Sequence, residues 1–70
     1  MFEFQINFKN RTCYGDHYTV WYWDSVKSNW ITIIDKVYYA GSNNEIINMI
    51  KSEVKRMFGI KRAKWDLNGI

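Results

Sequence analysis

SNNEIINMIKSEVKRMFG, residues Ser42 to Gly59, carries a helix start, an apolar stripe and a helix stop. Ser42 and Glu45 have the S-x-x-E spacing of a capping box. The Ser hydroxyl can accept from the Glu45 amide, and the Glu side chain can reach back to the Ser42 amide. On a helical wheel Ile46, Met57, Ile50, Val54, Ile47 and Phe58 fall within an arc of about 120°. Lys51, Asn44, Lys55, Asn48, Ser52 and Arg56 take the other side. Gly59 suits the left-handed residue that ends a helix, with Ile60 folding back toward Val54. A lone helix of this length is marginal in water. Its stripe needs a sheet, and the preceding residues must supply it.

They have the pattern for one. In Phe2–Lys9, Phe2, Phe4, Ile6 and Phe8 face one way, and Glu3, Gln5, Asn7 and Lys9 the other, as in a half-buried strand. The apolar side is expected to pack on the helix. Asn10–Asp16 reads as a loop, punctuated by Gly15 and Asp16. In the second strand, His17–Trp23, Tyr18, Val20 and Tyr22 share one face and Thr19, Trp21 and Trp23 the other. Both faces carry large rings, so alternation leaves the inner one open. Asp24–Asn29 is a polar hairpin connection. Trp30–Ala40 is a third strand, with a bulge or break expected near Asp35 because Ile33-Ile34 and Tyr38-Tyr39 disturb the alternation. Gly41 allows the bend into the helix. Residues 60–70 alternate weakly through Ala63, Trp65 and Leu67, and read either as a short fourth strand on a sheet edge or as a docked or frayed tail. The expected architecture is α+β: an antiparallel three-stranded meander with one helix on one face, in the order β-β-β-α with an optional last β.

Seventy residues make a single small domain, 1–70. A chain this short buries about 60% of its unfolded surface, so its stability is modest. No apolar run approaches the roughly 20 residues of a membrane span, and no basic-then-apolar leader opens the chain. Cys13 is the only cysteine and has no internal partner, which points to a reducing, cytoplasmic compartment. His17, the only histidine, does not stand at a recognisable catalytic spacing from it. Paired carboxylates, a Gly-rich phosphate loop and a metal-ligand cluster are lacking, so no catalytic residue, cofactor or metal is expected. The richness in Ile, Lys and Asn points to AT-rich coding sequence, as in an AT-rich bacterium or its phage.

Function therefore has to be read from surfaces. Four Trp, five Tyr and four Phe are more rings than one helix can cover. Trp21 and Trp23, with some of Trp30, Tyr38 and Tyr39, are the rings expected on an outward face. Charge is uneven as well. Residues 1–50 hold four Lys/Arg against five Asp/Glu, whereas residues 51–70 hold six against two. The helix dipole accounts for Lys55 and Arg56 but not for Lys61, Arg62 and Lys64 beyond them. Trp21, Trp23, Trp30, Lys61, Arg62 and Lys64 are thus the expected partner-binding residues.

Two functions fit these surfaces. The first is a non-enzymatic protein-interaction module acting on a host protein or nucleoprotein complex. In size, composition and β-β-β-α outline the chain resembles the small single-domain proteins that phages and mobile elements use against host machinery, anti-CRISPR inhibitors among them. The resemblance covers no motif. The net charge of +3 argues against a DNA-mimic inhibitor, which should be acidic. The second function is nucleic-acid binding, since rings on a sheet stack bases and nearby cations neutralise phosphates. A three-stranded sheet followed by a helix also resembles the arm-binding domains of phage-type integrases and the later part of double-stranded-RNA-binding domains. Here strands two and three hold a single lysine, Lys36, where the integrase type needs several cations, and SNNE lacks the Lys run of the RNA-binding type.

Overall fold

The computed structural model describes residues 1–39 and 41–70. It contains β1 (Glu3–Thr12), β2 (Gly15–Asp24), β3 (Asn29–Tyr38), α1 (Asn43–Phe58) and β4 (Lys64–Asn68). The strands form one sheet in the order β3-β2-β1-β4. β1, β2 and β3 are an antiparallel meander, so the expected α+β fold is present. The tail is a strand, on the β1 edge and parallel to β1. β3 and β4 therefore run in the same direction, and α1 is the crossover that such a pair requires.

The expected loop at Asn10–Asp16 shrinks to two residues. β1 runs on to Thr12 and β2 begins at Gly15, leaving Cys13 and Tyr14 as the turn. The register slips between Phe8 and Asn10, so Lys9 is an extra residue at a bulge. That slip is why Asn10, Arg11 and Thr12 lose the alternation that marks the rest of β1. Thr12 ties the turn: its hydroxyl accepts from the Tyr14 amide at 3.1 Å and donates to the Gly15 carbonyl at 2.8 Å. Gly15 has a φ of 131°, and a Cβ there would lie 2.4 Å from the Tyr38 carbonyl oxygen, so only glycine lets the two strands approach. At the other hairpin the Asp24 carboxylate accepts from the Val26 and Lys27 amides at 3.0 and 3.2 Å. β3 begins one residue before the expected Trp30 and ends at Tyr38; Ala40, its expected last residue, lies outside the described residues. Its irregularity falls at Ile33, between the pairs Val20–Ile34 and Trp21–Thr32, two residues before Asp35.

The helix has the start and stop read from its sequence, except that only the Ser42 half of the capping box forms: among the described residues the Glu45 side chain takes no bond from the Ser42 amide. Ser42 is the N-cap, its hydroxyl accepting from the Glu45 amide at 3.3 Å. Gly59 adopts the left-handed conformation, and the Gly59 and Ile60 amides bond to the Arg56 and Lys55 carbonyls at 3.3 and 2.9 Å. Those two bonds complete a Schellman motif. Ile46, Ile47, Ile50 and Val54 are buried against Phe4, Ile6, Tyr18, Val20, Ile34 and Tyr38. The C-terminal end of the stripe belongs to Phe58, whose ring lies 5.0–5.5 Å from those of Phe2, Phe4 and Tyr22. Met57, expected in the stripe, is displaced by this ring cluster and is 54% exposed. From the sheet side, Tyr18 donates to the Asn43 side chain at 2.8 Å; Tyr38, among the rings expected outward, is instead buried on the helix-covered face and donates to Glu53 at 3.4 Å, whereas Tyr39 is 79% exposed. Trp65 of β4 stacks on Phe4 at 5.0 Å, so the last strand helps to wall the core.

Candidate interaction face

Strand register sorts every sheet residue onto one of two faces, because directly paired residues share a face. The helix covers the face of Phe4, Ile6, Tyr18, Val20, Tyr22 and Ile34. That settles the ambiguity of β2: Tyr18, Val20 and Tyr22 point inward, and Thr19, Trp21 and Trp23 point to the uncovered face.

The uncovered face can be read row by row across the strands. Lys64 pairs with Glu3. Glu3, one step beyond the Phe4–Tyr22 pair, falls beside Trp23, and Trp23 pairs with Trp30. The next row is Asp66, Gln5, Trp21 and Thr32, and the third Asn68, Asn7, Thr19 and Asp35. His17, between Asn10 and Val37, closes the far end. The indole rings of Trp23 and Trp30 lie 5.3 Å apart at 58°. All three tryptophans are partly exposed. One end of the face is thus aromatic and the centre polar.

The polar centre is tightly knit. The Asn68 amide donates to the Asn7 side-chain oxygen at 3.0 Å, and the Asn7 amide donates to the Thr19 carbonyl at 3.5 Å. Asn7 and Thr19 are buried although no helix covers them, and the Thr19 hydroxyl has no partner among the described residues. His17 pairs with Asp35.

The aromatic end has an apolar rim. Met1 and Val26 are more than nine-tenths exposed and Phe2 is 38% exposed. A cleft of about 270 Å³ opens there between Met1, Phe2, Tyr22, Trp23 and Ser25. Sequence patterning singled out the tryptophans but not this rim. Val26 lies in a turn where periodicity is silent, and Phe2 is shared between the core rings and the edge.

The six residues expected to bind a partner do not all meet. Trp21, Trp23, Trp30 and Lys64 share the uncovered face, at the same end of the sheet. Lys64 is held 3.6 Å from the Glu3 carboxylate. With neighbouring strands about 4.8 Å apart, Lys64 lies about 14 Å from Trp30, across the full width of the sheet. Lys61 and Arg62 are exposed in the connection between α1 and β4, off the face. Glu3, Asp35 and Asp66 then stand on the face against Lys64, so the aromatic surface leans acidic. No cluster of three His, Cys, Asp or Glu able to hold a metal occurs among the described residues, and no described helix is long and apolar enough to cross a membrane.

Comparison with protein-family models, with curated proteins and with solved structures gives no match.

Proposed function

We propose that the chain is a non-enzymatic protein-interaction module that grips a partner protein through the aromatic end of its uncovered sheet face, with Trp23, Trp30 and Trp21 as anchors. One observation carries this: three partly exposed indoles lie side by side on the face the helix leaves free, beside a cleft lined by Met1, Phe2 and Trp23. Tryptophan gives more binding energy per contact than most residues, because a large rigid ring is desolvated at little entropic cost. The three carboxylates on the face favour a neutral or basic protein surface over a phosphate backbone, which they would repel. The small single-domain format fits an inhibitor that occludes a working surface. Host proteins or nucleoprotein complexes attacked by a phage or mobile element are the partners to try first. The exposed thiol of Cys13 suits a reducing cytoplasm.

The test is capture from nuclease-treated bacterial lysate by the intact chain and by its Trp23→Ala variant. The proposal expects a protein band that survives nuclease and is lost with Trp23→Ala. With the captured protein purified, the substitution should cost about 2 kcal/mol or more, roughly thirtyfold in affinity. The lack of any nuclease-resistant band, or a resistant band that Trp23→Ala leaves unchanged, would refute it.

A further inference from the structure

Lys51 and Lys55 on the β4 side of α1, with Lys61 and Arg62 in the connection that follows, make a second charged surface; Arg56 lies on the β3 side, in a cleft with Lys36, Tyr38 and Glu53. Of the chain's ten Lys and Arg, Arg11, Lys36 and Lys64 are tied to Asp16, Glu53 and Glu3. Among the described residues none of these four cations, Lys51, Lys55, Lys61 and Arg62, has a carboxylate within 4.0 Å. The only acidic residue between positions 51 and 62, Glu53, is turned toward β3, where it meets Lys36 and Tyr38. The helix dipole rationalises Lys55 and Arg56. It does not reach Lys61 and Arg62, which follow Gly59 and the end of the helical hydrogen bonds. Lys51, the first of the four, extends over the ring of Trp65 at 5.8 Å.

The molecule therefore divides its charge. The uncovered sheet face sets three carboxylates against one lysine, and the β4 side of α1 with its connection presents four cations with no carboxylate within 4.0 Å among the described residues. We infer that this basic surface is a site for a phosphodiester backbone, separate from the tryptophan face and recognising charge rather than base sequence. Lys51 and Lys55 are one turn apart, about 6 Å along the helix axis, and Lys61 and Arg62 follow in the connection past the helix end. A duplex presents one phosphate charge per roughly 1.7 Å of its axis, so a surface of this length meets several at once. Carboxylate-rich polypeptide offers sparser charge on a mobile chain and fits the row less well.

The probe is a short fluorescent DNA duplex of arbitrary sequence, titrated with the intact chain at several salt concentrations. Four phosphate contacts give a log–log salt slope near −3.6, a loss of roughly 150-fold between about 50 and 200 mM salt. The double variant Lys61→Ala/Arg62→Ala, at exposed positions outside the regular elements, should flatten the slope by about two units. Trp23→Ala should leave duplex binding unchanged. The inference fails if the duplex does not bind at the lowest salt, or if the double variant keeps the full slope. It fails also if Trp23→Ala abolishes binding, which would place the duplex on the sheet face. Displacement of the duplex by polyglutamate at equal charge would make an acidic protein the ligand and overturn it too.

Discussion

Tyr38 shows how single residues join the edge of this sheet to its helix. The side chain is almost wholly buried, and its hydroxyl donates to Glu53. Burial first, then the charge of Glu53 and the hydrogen bond to it, push the phenol up to about 12. An unfolded tyrosine ionises near 10. The folded value is the higher, so the stability that depends on the neutral phenol is complete below about pH 10 and is lost as the pH rises to about 12. Tyr38→Phe removes that dependence. At neutral pH it should cost about 1 kcal/mol or less, because one long hydrogen bond is lost while the ring stays packed. Urea unfolding at stepped alkaline pH should show the parent losing stability faster than the variant across this interval. Superimposable profiles would mean that the Tyr38 phenol carries none of the loss. Burial, with Asp16 nearby, raises Tyr18 too, so a residual alkaline slope is expected in the variant.

Among the elements, the helix was the most legible, because three independent signals agreed on it. The cap at Ser42, the stripe through Ile46, Ile50 and Val54, and the glycine stop all appear where the residue pattern puts them. Ile50 has no exposed surface, and Ile50→Ala should destabilise the domain by about 2–5 kcal/mol. Asn48→Ala, on an exposed position of the same helix, should stay within about 0.5 kcal/mol. Equal losses in chemical denaturation would place the stripe on the wrong face. The strands were legible only where one face is apolar. β1 alternates cleanly to Phe8, then bulges at Lys9, and its polar end has no periodic signature. In β2 both faces carry rings, so only the helix decides which is inside. The parallel direction of β4 was not legible, since alternation fixes which side chains share a face and not which way a strand runs. The candidate site divides the same way. Thr19, Trp21 and Trp23 share a face by parity alone, whereas Glu3, Asp35 and Asp66 come together only through the register of four strands.

At the scale of the whole molecule, one sheet carries aromatic rings on both faces, and the two sets do different work. Phe2, Phe4, Tyr22, Phe58 and Trp65 form a connected cluster between sheet and helix, with centroids 5.0–6.3 Å apart. Trp65 belongs to it through its stack on Phe4, which makes the last strand part of the structure and not an appendage. Trp23 has one ring neighbour, Trp30, and no helix above it. In a domain of 70 residues with only a few kcal/mol in hand, that difference is measurable. Trp65→Ala uncovers Phe4 and should cost about 2–4 kcal/mol, toward the low end of large aromatic truncations because the ring is only partly buried. Trp23→Ala forfeits a single cross-strand aromatic pair and should cost about 1 kcal/mol. Urea unfolding of the two variants beside the parent chain gives the comparison directly. If Trp23→Ala proves as damaging as Trp65→Ala, the rings of the uncovered face are there to hold the sheet, and their claim to be a binding surface falls with that result.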